Sequence, residues 1–304
     1  MATYPDVQTA FIAELDNVLA NGKVIPSRLG DSTLEVLHRT FTVENPLRAI
    51  INTPHRNNNI FATLAETLWV LAGKDDMAFL SQYLPRAPEF SDDGLVWRGA
   101  YGKRLRNWNG IDQLAEIIKI LQQSPTSRRA VAMIYDPDRD FVESKDIPCN
   151  DGLHFLIRDN KLHLLVFTRS NDIMWGWSGI NSFEWAVLLR ILSSILQVGV
   201  GQITFTIGSL HLYQRHVKRA RRIIDAAPTR NMYELGAQPF ATSYNSLQQL
   251  DVELADFFKK HEVGEVVESI SFVGMASNLL KYFKTKDSWY LEDLPECDLT
   301  IMAR

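Results

Sequence analysis

The sequence predicts an α+β fold in which one large mixed sheet is packed by helices. Four long segments carry apolar residues at helical spacing, and several others alternate with a period of two. The two kinds interleave without the regular strand–helix–strand order of a parallel sheet. Val7, Phe11, Leu15, Val18 and Leu19 fall on one side of a helix over 7–20. Leu34 and Val36 and, after a shift, Phe41 and Val43 mark a strand, and a second helix spans 60–72. Pro85, Pro88, Asp92, Asp93 and Gly94 lie in an irregular segment. Ile111, Leu114, Ile117, Ile118 and Leu121 give a helix over 111–122, and RAVAMIY a strand at 129–135. GLHFLIR and KLHLLVFTR, joined by Asp159-Asn160, read as a β-hairpin. Phe183, Val187, Ile191 and Ile195 mark a helix over 183–197, and QITFTIGSLHLY a strand with Ile203, Phe205 and Ile207 on one face. After about residue 226 the pattern weakens to a loop-like stretch and a helix around 247–260. No repeat or low-complexity tract divides the chain, so 1–304 reads as one domain.

Composition narrows the function classes. Of 304 residues, 46% are hydrophobic and 22% charged, which excludes a disordered or collagen-like chain. Lys plus Arg is 32 and Asp plus Glu 36, a net charge of −4, so no polycation is present to hold nucleic acid. Two cysteines, Cys149 and Cys297, are too few for a disulfide framework and suit a reducing compartment. The N-terminal MATYPDVQTAF lacks the blocks of a signal peptide, and Arg190 interrupts the best apolar stretch. The expectation is a cytoplasmic protein with no membrane partner.

Several residues carry potential chemistry. Cys149 sits in IPCND at the mouth of a strand. A lone cysteine is commonly a small buried hydrophobe, but polar flanks and nearby cations suit a nucleophilic thiol. Arg28, the pair Arg128-Arg129, and Arg169 with Ser170 stand at strand or loop ends, either as solvated surface charges or as a convergent grip on a phosphomonoester. His211 and Tyr213, two apart on a strand, face the same way, as a sheet-edge pair or as ligands of a sugar hydroxyl. With His216 they lack further ligands at metal-site spacing, so no metal is expected. In RSNDIMWGWSGINSFEW, the aromatics with Asp172 and Asn181 suit a planar heterocycle, or Trp175, Trp177 and Trp185 are simply core. Glu66, inside the apolar helix TLAETLWVL, is a candidate acid/base with a shifted pKa.

Taken together, SRLGDSTLEV, LAETLWVLAG, AYGKRLRNW, SPTSRRAV, IPCN, LIRDNKLHLLVFTRSNDIMWG and IGSLHLYQRH, in this order over residues 27–216, resemble the thymidylate synthase superfamily. Within it the chain is most similar to the pyrimidine-nucleotide 5-hydroxymethylases. The resemblance implies that family's fold and a sheet-to-sheet homodimer. It implies Cys149 as the nucleophile at C6 of the pyrimidine, Glu66 as an acid/base acting through water, and Tyr101 near proton transfer at C5. Arg28, Arg169 and Ser170 become phosphate ligands, and Arg128 and Arg129 phosphate ligands donated by the other subunit. His211 and Tyr213 become ligands of the sugar 3′-hydroxyl, Asp172 a pterin ligand, and Asn181 the reader of the base. The co-substrate implied is 5,10-methylenetetrahydrofolate, and the substrate a pyrimidine nucleoside monophosphate.

Departures from the family pattern bear on the reaction. Asn150 follows the cysteine where methylating members have His, which adds Asn150 to the catalytic set. Ser209 stands where they have Asp, residues 227–304 do not align, and only Phe90 lies near the place of a folate-covering tryptophan. These changes favour water addition over hydride transfer, that is, hydroxymethylation over methylation. The changes beside the nucleophile tip the expected substrate toward CMP or dCMP over UMP or dUMP, although Asn181 alone points to uracil. WSGINSF also carries one extra residue after Gly176. A nucleotide- or RNA-binding relative without catalysis is the reading from a different class.

Overall fold

The computed structural model describes residues 1–27, 30–292 and 294–303. In chain order the elements are β1 (Ala2–Tyr4), α1 (Val7–Asn21), β2 (Lys23–Pro26), β3 (Ser32–Val43), α2 (Ile60–Leu71), α3 (Met77–Leu80), α4 (Tyr101–Arg106), α5 (Gln113–Gln123) and β4 (Val131–Met133). There follow α6 (Pro137–Asp140), β5 (Asn150–Arg158), β6 (Lys161–Asp172), a π-helix (Ile173–Asn181), α7 (Ser182–Ile195), β7 (Gly199–Tyr213) and α8 (Val217–Asp225). The chain closes with α9 (Leu247–Val263), α10 (Phe272–Thr285), α11 (Trp289–Glu292) and α12 (Asp298–Ala303). Among the described residues no helix is long and apolar enough to cross a membrane.

The strands form one mixed sheet ordered β1-β3-β7-β6-β5-β4, with β2 paired to β3 off this path. The β5–β6 hairpin turns at Asp159 (φ 49°) and Asn160 (φ 54°), the left-handed pair that a two-residue turn requires. The shift in the β3 alternation is a bend at His38, which takes φ 53°. Its partner β7 changes face at the same level, from Ile203, Phe205 and Ile207 to Leu210 and Leu212, so both strands keep apolar residues inward. β6 and β7 run parallel, which places Ser170 opposite Ser209 and Asp172 opposite His211.

One face of the sheet is buried. Trp177 stands edge-on to Phe41 (centroids 5.2 Å) and Phe205 (5.4 Å), and α1 adds Phe11 and Leu15 to the same core. The other face is open. It carries the row Met133, Gly152, Phe167, Thr206 and Thr40 beside the row Val131, His154, Leu165, Thr204 and Thr42. Val131, Met133 and Phe167 are exposed there.

β4 is shorter than the strand predicted over 129–135. The ladder ends at Met133 because Ile134 and Tyr135 both donate to the Asp151 carbonyl (2.9 and 3.0 Å), and Asp136 then caps α6. The C-terminal region is more helical than its sequence suggested. Beyond α9, which ends at Gly264 (φ 76°), α10 packs on α2 through Phe283 and Phe61, 4.8 Å between centroids.

Candidate active site

Cys149 immediately precedes β5 and is half-buried, and neither cysteine is disulfide-bonded. Arg169 on β6 fastens the segment that carries it. Its backbone N–H donates to the Cys149 carbonyl (2.9 Å), Nε to the Pro148 carbonyl (2.8 Å), and Nη2 to the Ile147 carbonyl (2.8 Å). The same Nη2 lies 3.9 Å from Cys149 Sγ. Ser170 follows Arg169 at the same end of the sheet.

Beneath the thiol, Asn150 is fully buried. Its Oδ1 accepts from Thr168 Oγ1 (3.3 Å) and Trp185 Nε1 (3.2 Å). An indole nitrogen only donates, so this contact fixes the amide flip and leaves Nδ2 buried on the side of Tyr101, with no acceptor within hydrogen-bond distance. Tyr101, at the start of α4, faces Asn150 and stacks 5.8 Å from Trp185. Burial, then the charges of Cys149 and Glu184, hold its hydroxyl far above the usual phenol range.

Two carboxyl groups and two further amides complete the polar floor. Glu66 projects from α2, and burial pushes its pKa up to about 7. Asn181 is 5% exposed: its Oδ1 accepts from Asn171 Nδ2 (3.1 Å) and its Nδ2 donates to Glu184 Oε1 (2.8 Å). Glu184 is 1% exposed and its Oε2 has no partner. Burial and the nearby Glu66 charge lift its pKa well above the carboxylate range. Sequence reasoning missed Glu184, although a carboxylate within FEWAVLL is the same signal that singled out Glu66. Asp151, one of the changes beside the nucleophile, has its pKa raised by burial to about 6 against the pull of Arg169.

Residues Ile173–Asn181 form a π-helix, whose turn takes one more residue than that of an α-helix. Asp172 caps it, Oδ1 accepting from the N–H groups of Met174 (2.8 Å) and Trp175 (3.4 Å). The carbonyls it loosens find other partners. Met174 O accepts from buried Arg56 and from Ser178 Oγ (3.0 Å), and Gly179 O from Thr63 Oγ1 (2.8 Å). This brings Asn181 against Asn171. Of the three tryptophans, Trp177 and Trp185 are core, whereas Trp175 is 41% exposed and packs against His216 and Arg56.

His211 and Tyr213 lie on β7 with rings edge-on, 5.5 Å apart. Ser209, where the family pattern has Asp, donates to Glu35 Oε1 (2.6 Å). Phe90 ends a short 3-10 turn and is partly exposed. Arg128 and Arg129 are exposed and are not brought to Cys149. They precede β4, whose antiparallel register puts them beyond His154, about 20 Å along β5 from the thiol at ~3.4 Å per residue. Arg28 lies outside the described residues. Among the described residues, no group of three or more His, Cys, Asp or Glu could hold a metal ion.

A family model described as Thymidylate synthase matches residues 9–267. A protein named deoxyuridylate hydroxymethyltransferase from Bacillus phage SP01 is 37% identical over 211 residues, covering 66% of this chain and 55% of that protein. A protein of the same name from Delftia phage PhiW-14 is 31% identical over 256 residues, covering 80% and 70%. A putative thymidylate synthase of Methanothermobacter marburgensis is 28% identical over 221 residues, covering 72% and 95%. The match to the phage SP01 protein thus spans little more than half of that protein's length.

Proposed function

Because the chain belongs to the thymidylate synthase family, we propose that it is a one-carbon transferase that hydroxymethylates C5 of a pyrimidine nucleoside monophosphate, with deoxyuridylate as the substrate. The observation that carries this reading is the half-buried Cys149 thiol set 3.9 Å from Arg169 and beside the unpartnered Nδ2 of Asn150. Pyrimidine C5 is a weak nucleophile by itself. Addition of Cys149 Sγ to C6 makes C5 electron-rich, and 5,10-methylenetetrahydrofolate supplies the one-carbon unit that C5 takes up. C5 gives up its proton and the carbon–nitrogen bond to tetrahydrofolate breaks, leaving an exocyclic methylene carbon to which water adds as the thiol leaves C6. Arg169 and Ser170 hold the phosphate with Arg28, remote binding that orients the ring. His211 and Tyr213 hold the sugar 3′-hydroxyl. Glu66, with a pKa near neutrality, moves protons through water, and Tyr101 serves C5. Asp172 Oδ1 is committed to its cap, which leaves Oδ2 to accept from a pterin N–H.

Two observations support uracil over cytidylate, the base expected on the sequence. Asn150 has only an N–H left to offer, which suits the O4 acceptor of uracil and not the amino group of cytosine. Relatives at 37% and 31% identity carry the name deoxyuridylate hydroxymethyltransferase. Methylation is the second reading, favoured by the relative named as a putative thymidylate synthase. Against it stands Asn150 in place of His.

The open face of the sheet supports a homodimer. Apolar Val131, Met133, Leu165 and Phe167 form a patch suited to pairing with a second copy, and Arg128 and Arg129, exposed beside it, are the side chains we assign to the phosphate of the partner's site. The test of the substrate is turnover of dUMP, dCMP, UMP and CMP with methylenetetrahydrofolate. The expected result is hydroxymethylation of dUMP well ahead of the others, and a preference for dCMP or CMP overturns the uracil assignment.

A further inference from the structure

We infer that Glu184 and Trp185, consecutive on α7, are positioning residues that decide which base the site accepts by fixing the flips of Asn181 and Asn150. The inference rests on the reading above and goes beyond it, since neither residue touches substrate there. An amide reads uracil or cytosine according to its flip, because the donor and acceptor at base positions 3 and 4 are exchanged between the two bases. The Trp185 indole can only donate, so Asn150 Oδ1 turns toward it (3.2 Å), and Nδ2, beside Tyr101 and without an acceptor in hydrogen-bond distance, is the group assigned to the base. Glu184 works on Asn181 in the complementary way. Its Oε1 takes the Asn181 Nδ2 (2.8 Å), while Asn171 Nδ2 takes the Asn181 Oδ1 (3.1 Å). Asn171 is itself confined, since a Cβ at Gly176 would lie 2.3 Å from its Oδ1.

The placement of the ring converts these flips into a choice of base. With C6 at Cys149 and N1 toward His211 and Tyr213, N3 lies on the Asn171 side and position 4 on the Glu184 side. Asn171 adjoins Asp172, which pairs with His211 across β6 and β7. Asn181 therefore offers an acceptor to N3–H and its second amide hydrogen to O4. Asn150 adds another donor near O4. Cytosine meets two donors where it needs an acceptor.

The test is the ratio of kcat/KM for dUMP over dCMP in wild type, Trp185→Phe, Glu184→Met and Glu184→Gln. Trp185→Phe keeps the ring and loses the N–H, Glu184→Met keeps volume and loses the acceptor, and Glu184→Gln keeps the acceptor. The ratio should fall about 10-fold or more in each of the first two and stay within about 2-fold in Glu184→Gln. A packing defect alone lowers both nucleotides alike. An unchanged ratio in both Trp185→Phe and Glu184→Met overturns the inference. Absence of C5 chemistry in the wild type overturns the proposed reaction instead, and the same ratio, read as Kd by calorimetry, still decides the roles of Glu184 and Trp185. Should one variant not fold, the other carries the same prediction.

Discussion

Arg169 Nη2 lies 3.9 Å from Cys149 Sγ while the same guanidinium holds the carbonyls of Pro148 and Ile147. One planar group thus fixes the loop that presents the nucleophile and puts a positive charge beside it. A lysine carries the charge but cannot make both bonds. Arg169→Lys should lower kcat/KM by roughly 100-fold, with losses in both kcat and KM, in a steady-state assay.

Cys149→Ala tests the covalent step separately from binding. It should abolish release of tritium from C5-labelled nucleotide while leaving the Kd of the nucleotide within about 3-fold of wild type. No exchange in either wild type or the variant would leave nucleotide binding as the only function.

Glu66 links stability to pH. Its folded pKa is raised by burial from 4.5 to about 7, so between these values the folded state keeps a proton that the unfolded state has released. The resulting stability is complete below pH 4.5 and is lost as pH rises through 7. Glu66→Gln should therefore be more stable than wild type above pH 8 by on the order of 3 kcal/mol and equal to it near pH 4, measured by denaturant unfolding. The same variant should lose turnover at every pH.

Behind the site, Arg104 on α4 makes a buried bidentate pair with Asp140 (2.5 and 2.8 Å) and also donates to the carbonyls of Ile134 and Arg98. This clamp fixes the helix that starts at Tyr101. Asp140→Ala leaves a buried cation unpaired and should cost about 3–5 kcal/mol in unfolding free energy. Adding Arg104→Met should recover a large part of the loss.

Arg128 and Arg129 test the shared site. Arg128→Ala/Arg129→Ala and Cys149→Ala should each be inactive at low nucleotide concentration. Mixed after partial unfolding and refolding, they should regain about one quarter of wild-type activity, since half the dimers are mixed and each has one intact site. No recovery would mean that the arginines serve their own subunit or none.

Features specified by neighbouring residues were legible in the sequence. Asp159-Asn160 announces its turn, and Cys149, Arg169 and Ser170 lie in short motifs at strand ends. What depended on contacts across the chain was not. The π-helix defeats a period of 3.6, and its stability comes from Arg56 and Thr63, more than 100 residues away. Glu184 merged into the buried face of α7 because its partner Asn181 is held in turn by Asn171, ten residues earlier on β6. The flip of Asn150, on which the proposed base preference rests, depends on Trp185, 35 residues on. Past residue 226, α10 packs against α2, α9 and α11, and α12 against α2, contacts between distant segments that neighbouring residues do not specify.

The most direct measurement is the fate of dUMP turned over with methylenetetrahydrofolate in 18O-labelled water. Hydroxymethylation predicts a 5-hydroxymethyl product that carries oxygen from the solvent, with tetrahydrofolate released. An unlabelled 5-methyl product accompanied by dihydrofolate would contradict it.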